Sequence, residues 1–291
     1  MPSRVIATGV VGALLVALLV PAAYALAERR SSSLGSRFRR DIAHALTTVT
    51  RTPPLVTEVD LANLPAPVAG YLRYANVVGK PRVTSLVAHF HGQIRAKPEG
   101  DWLDFRAEQH NFYTPRARYF YIESSMFGLP FKAYHRYANG AATMEVRVAS
   151  LIDVVDARGP EMNVSETVTM LNDMCVLAPA TLIDPSITWQ TLDARSVRAT
   201  FENAGNTVSA VLLFDEAGAL ASFYSDDRYQ TADGKAYHRY RWSTPLSGYR
   251  DFGGVRLAAH GVASWRMPDG ELEYGRFELE SIDYDQPAPA R

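Results

Sequence analysis

The sequence predicts a mainly β protein of the α+β class: a large curved antiparallel sheet or half-barrel, with an amphipathic helix in its concavity and further helices at the amino-terminal end. Three observations carry this. From Val83 onward polarity alternates with a period of two, as in "SLVAHFHGQIRA" and "ARYFYIES". Turn signals divide these runs at Asn139-Gly140, Ala204-Gly205-Asn206, Glu216-Ala217-Gly218, Asp233-Gly234 and Pro268-Asp269-Gly270. Between the two groups of runs stands one stretch of helical period, "NVSETVTMLNDMCVLAPATLID", at 163–184.

Taken in order, the chain starts with an apolar run. Val5 to Val20 are apolar or small, Pro21 breaks the run, and Ala25-Leu26-Ala27 has the form of a cleavage site. Residues 1–27 therefore read as a signal peptide, or as an uncleaved anchor, since about 20 apolar residues span a bilayer. Either places the protein outside the cytoplasm or on the inner membrane with an extracytoplasmic domain. Arg29, Arg30, Arg37, Arg39 and Arg40 follow the run and only Arg4 precedes it, so a cytoplasm-facing anchor is the alternative. Residues 28–63 read as a linker and a membrane-proximal helix carrying Phe38, Ile42 and Leu46 at four-residue spacing, with a basic first turn.

The antiparallel domain is expected over 64–286, with a tail at 287–291. It opens on a helix with prolines at its entrance and a stripe of Val68, Leu72 and Ala75, closed by Gly79 and Pro81. The strands follow, with Leu86, Ala88, Phe90 and Gly92 on one side of the first and Val87, His89, His91 and Gln93 on the other. Residues 197–245 read as a meander of four runs.

The inserted helix, 164–178, has two faces. At about 100° per residue, Val168, Met170, Leu171, Met174, Cys175, Leu177 and Ala178 share one half, while Glu166, Thr169, Asn172 and Asp173 take the other. Asn163 and Glu166 have the spacing of a capping box, and Pro179 ends the helix. If the apolar half faces the hollow of the sheet, a space for an apolar ligand is lined by Val168, Met170, Leu171, Met174, Cys175 and Leu177 from the helix. Phe90, Phe120 and Ile122 face it from the strands. Cys175, the only cysteine, lies within the apolar arc and reads as a small buried hydrophobe.

Composition excludes several classes. A net charge of -1 offers no field for a polyanion, so nucleic acid is not an expected partner. One cysteine excludes an internal disulfide and paired-cysteine metal sites. No nucleophile-elbow, phosphate-loop, zinc-protease or dinucleotide signature occurs, and no cofactor is expected. His89 and His91 point the same way from one strand and could share a metal, with His110, His135, His238 or His260 as further ligands. Asp153, Asp156 and Glu161 form an acidic group ahead of the helix. These features support the alternatives: a metal- or carboxylate-dependent hydrolase or isomerase, or a structural partner of a membrane complex. The leading expectation is a non-catalytic envelope protein that binds a lipid or another amphiphile, touching membrane through residues 5–27 if these are retained.

At "LPAPVAGYLRYANVVGKPRV", "ETVTMLNDMCVLAPATLID" and "MPDGELEYGRFELESIDYD", the chain resembles an uncharacterised bacterial family of exported or membrane-tethered proteins, of the domain-of-unknown-function 6544/6920 type. The likeness spans about residues 64 to 284 and implies no activity and no catalytic residue. In architecture alone, strands curved around helices look like the half-barrel lipoprotein carriers of the bacterial envelope.

Overall fold

Alternation of apolar and polar residues buries one row of each strand and exposes the other, and here nearly every such row belongs to a single sheet. The computed structural model describes residues 25–30, 32–49, 53–126 and 128–285; the apolar run at 5–20 and the tail at 287–291 lie outside them. Six strands form a first meander: β1 (Ser85–Ile94), β2 (Leu103–Tyr113), β3 (Arg116–Met126), β4 (Leu129–Ala138), β5 (Ala141–Val148) and β6 (Ile152–Arg158). Helix α4 (Pro160–Val176) and a 3-10 turn (Pro179–Ile183) follow, preceded in the chain by α1 (Leu34–Leu46), α2 (Glu58–Leu61) and α3 (Ala66–Tyr74). The second group is β7 (Ile187–Asp193), β8 (Ser196–Asn203), β9 (Asn206–Phe214), β10 (Leu220–Ser225), β13 (Arg241–Phe252), β14 (Val255–Met267) and β15 (Gly270–Tyr284), with a separate two-stranded pair, β11 (Tyr229–Gln230) and β12 (His238–Arg239).

The large sheet has thirteen strands in the order β6-β5-β4-β3-β2-β1-β15-β14-β13-β10-β9-β8-β7, is antiparallel throughout, and curves without closing. Its two halves join at one seam, where β1 runs against β15 from Leu86 opposite Tyr284 to Ile94 opposite Gly275. Because β6 and β7 are the two outer edges, α4 and the 3-10 turn connect one edge to the other. They do so through the hollow, with α4 packed on β5 and β6 from one half and on β9 and β10 from the other.

The turn signals act as their chemistry requires. Asn139 and Gly140 both have positive φ, as do Ala204 and Gly205, which fits two-residue hairpin turns. The Ala204 turn curls over to meet the Asn139-Gly140 turn: a Cβ on Gly140 would stand 2.4 Å from that of Ala204. Asn203 Nδ2 donates to Tyr137 Oη at 2.7 Å, and Tyr137 Oη is also 2.7 Å from Thr167 of α4. One end of the hollow is thereby closed.

Two expectations about local structure are corrected. The stretch around Asp233-Gly234 is not a hairpin of the meander, because β10 pairs directly with β13 and residues 226–240 leave the sheet. This excursion crosses to α4, where the Ser165 hydroxyl accepts from the Tyr229 amide at 2.9 Å. The helix starts at Pro160, a turn earlier than the capping-box reading. Gly159 supplies the entry with φ 110° and ψ -176°, a conformation nearly restricted to glycine, and proline fits the first helical position. Asn163 instead accepts from the Ala142 amide with its side chain, at 2.8 Å.

The hollow holds the main core, including Val68, Leu72 and Ala75 of the α3 stripe. A second cluster lies on the convex face. There Leu34, Phe38, Ile42 and Ala45 of α1 pack on Phe112, Ala117, Tyr119, Tyr121 and Tyr134. The helix read as membrane-proximal is thus laid on the back of the sheet, fixed by Arg37 to Glu145 at 2.6 Å and by Asp41 accepting from Tyr134 at 2.7 Å.

Candidate ligand cavity

Between α4 and the concave face lies a cavity of about 530 Å³. The parity of the strands builds its walls. Along β3 the inward row is Arg118, Phe120 and Ile122, opposite Tyr137, His135 and Ala133 of β4. Val146 and Val148 of β5, Phe90 and Ile94 of β1, and Phe277 and Leu279 of β15 extend the apolar wall. Trp242, Trp265 and Leu246 cover the opposite side, and Tyr229 to Ala232 of the excursion close over part of it. Met126 and Val154, both exposed, stand at the opening.

Of the ligand-facing residues expected from sequence, Phe90, Phe120, Ile122 and Leu177 line this cavity. Val168, Met170, Leu171, Met174 and Cys175 do not. All five are fully buried in the main core, and the Tyr71 hydroxyl donates to the Cys175 carbonyl at 2.8 Å. The helix is therefore turned the other way from the one its composition suggested. Its polar half is buried too, and Glu166, Thr169, Asn172 and Asp173 form the cavity wall.

These polar groups are satisfied by strand residues at inward positions. Arg118 reaches Glu166 at 3.2 Å and Asp173 at 2.7 Å, bridging two carboxylates that stand on one helix face two turns apart. Asp173 Oδ2 also accepts from Gln109 at 2.7 Å and Asn111 at 2.9 Å. His135 and Arg228 each lie 3.7 Å from Glu166. Burial opposes the charge on Glu166, but Arg118, His135 and Arg228 outweigh it and hold the carboxyl down at about 2. For Asp173 burial prevails and moves the carboxyl upward against Arg118 and Asn111. Arg228 lies over the neighbouring rings of Trp242, at 4.2 Å, and Trp265, at 5.2 Å, and its buried Nε has no hydrogen-bond partner among the described residues. The cavity is thus polar beside the helix and apolar toward its opening.

The histidine pair lies elsewhere. His89 and His91 alternate with Phe90 and stand on the convex face, 3.3 Å from Ser281 and 3.7 Å from Glu280 respectively. Among the described residues no group of three His, Cys, Asp or Glu side chains could hold a metal ion. Asp153 and Asp156 sit on β6, separated from β1 by four intervening strands, and are paired to Arg147 and Arg158. Of the other candidate histidines, only His135 reaches the cavity.

Cys175 is 0% exposed, and burial raises its thiol far above the usual range, with Asp173 adding to the effect. An aromatic disulfide reagent is expected to leave the native protein unlabelled at neutral pH and to react with one thiol after denaturation. Labelling as fast in the native as in the denatured state would contradict this.

Residues 54–277 match a family described as "Family of unknown function (DUF6544)". No curated protein sequence matches the chain. Similar solved structures include a putative outer membrane lipoprotein-sorting protein domain from Vibrio parahaemolyticus, at 10% identity and a TM-score of 0.40, covering 69% of this chain and 85% of that one. A DUF1329 family protein from Desulfovibrio piger aligns at 11% identity and a TM-score of 0.42, covering 76% and 92%. A LolA superfamily protein from Nitrosomonas europaea aligns at 9% and 0.40, covering 75% and 93%. Among the described residues no helix is long and apolar enough to cross a membrane.

Proposed function

The chain belongs to the DUF6544 family, and from its cavity we propose that it is a non-catalytic, envelope-associated binding protein that takes a single amphiphile between sheet and helix. The observation that carries this reading is a cavity of about 530 Å³ with apolar strand walls and polar groups gathered at one side. That volume falls within the roughly 300–1,000 Å³ of small-molecule sites, which are apolar with a few convergent polar groups. An acyl chain would lie along Phe90, Phe120, Ile122, Phe277 and Leu279, and its polar end would meet Arg228, Asn172 and Thr169. The unpaired Nε of Arg228 is the donor such an end would use. Export or anchoring through the apolar run at 5–20 belongs to the same reading.

Native mass spectrometry of protein purified from membranes is expected to detect one bound amphiphile, and a fluorescent fatty acid should compete for its place. Val146→Trp, which projects a large ring into the cavity from the inward row of β5, should weaken that probe about tenfold or more, each decade being 1.4 kcal/mol. Leu213→Trp, at an exposed position on β9, should leave binding unchanged. Recovery without an amphiphile, together with no probe binding, would overturn the proposal.

A further inference from the structure

Exposed large apolar side chains are concentrated at one place. Among the described residues, five of the ten are Met126, Leu129, Leu151, Ile152 and Val154, all on the tips of the β3–β4 and β5–β6 hairpins. The two tips are adjacent, since the Ala149 amide donates to the Pro130 carbonyl at 2.8 Å. They also form the rim of the cavity, because Met126 and Val154 line it. A patch that joins a cavity opening is a site of contact rather than scattered surface apolarity.

The occupant is indicated by the start of the described chain. Glu28 is bonded to Ser150 on the β5–β6 tip and to Lys132 at 2.5 Å. Leu26, 62% exposed, lies two residues before it, and the apolar run at 5–20 precedes that. Arg29 and Arg30 beside Glu28 are exposed and suit anionic headgroups. An apolar rim, an apolar run shortly before it in the sequence and flanking arginines are what a phospholipid surface would bind.

We propose that the β3–β4 and β5–β6 tips insert into the interfacial region of a phospholipid bilayer, so that the cavity opens onto the membrane. The inference deepens the binding reading and rests on it only for what enters the cavity.

The full chain carrying Leu129→Cys or Ile152→Cys, labelled with an environment-sensitive fluorophore, would be placed on vesicles of equal parts phosphatidylcholine and phosphatidylglycerol containing brominated lipid. Cys175 is buried and stays unlabelled, and Leu192→Cys, exposed on β7, serves as the comparison site. Quenching several-fold stronger at 129 and 152 than at 192 is expected. Equal quenching at all three sites would overturn the proposal, whether or not the chain is held to the vesicle by its amino-terminal segment. In the same preparation a fluorescent fatty acid reports the cavity. Quenched tips with no probe binding would leave the membrane contact standing and remove the amphiphile reading, whereas probe binding with water-exposed tips would do the reverse.

Discussion

Arg118→Met is expected to destabilise the domain by about 3–5 kcal/mol, the usual loss when one member of a buried ion pair is removed. The side chain is 7% exposed and is the closest cation to both Glu166 and Asp173, which are 1% and 9% exposed, so its loss strands two carboxylates away from water. Neutralising the carboxylate that has no other cation, in Arg118→Met with Asp173→Asn, should recover part of that loss, because Glu166 keeps Arg228 and Asp173 no longer carries an unpaired buried charge. Arg106→Met, whose side chain is 77% exposed, should fall within about 0.5 kcal/mol of the wild type. Urea titrations of the three proteins decide the matter. A single variant as stable as Arg106→Met would mean the cluster is hydrated, and the polar wall described above would need to be redrawn.

Gly92→Ala is expected to cost about 3 kcal/mol or more, at the upper end for overpacking. A Cβ at Gly92 would lie 1.9 Å from the carbonyl oxygen of Arg276 and 3.0 Å from its carbon. Backbone cannot step aside as a side chain can. The position pairs with Phe277 in the β1–β15 seam, where the two halves of the sheet are hydrogen-bonded to each other. Thermal unfolding should shift down by many degrees and lose sharpness as the halves uncouple. Gly253→Ala, in open space on the turn between β13 and β14, controls for simple loss of a glycine, with only the strain of its positive φ to bear. A Gly92 variant melting with or above that control would show that the seam relaxes easily.

The strands were legible because each has one row against the core and one toward solvent or a covering helix, so polarity reports the face directly. The helix stripes on α1 and α3 were legible for the same reason: Phe38, Ile42, Val68 and Leu72 are all buried. On α4 polarity does not report the face, because the polar half is as buried as the apolar one. Glu166, Thr169, Asn172 and Asp173 are polar and buried; Arg118, Gln109, Asn111 and Thr244 partner Glu166, Asp173 and Asn172, and the Thr169 hydroxyl donates to the Ser165 carbonyl. A signal was present on the strands. Gln109 and Asn111 share parity with Phe105 and Ala107, and Arg118 with Phe120 and Ile122, so polar side chains break otherwise apolar inward rows. Those interruptions required a polar counterpart in the hollow. The excursion at 226–240 was illegible for another reason: its turn residues are those of any hairpin, and only the direct pairing of β10 with β13 displaces it from the sheet.

The seam also dictates an order of assembly. Strand β1 emerges early from the ribosome, yet its second neighbour is the final strand, with Leu86 set opposite Tyr284. Throughout synthesis the first meander carries an open edge, a template for wrong pairing. Contacts so distant in the chain form slowly, which favours holding the polypeptide unfolded until its end is available. The first meander can therefore complete its edge only after the last strand has been made.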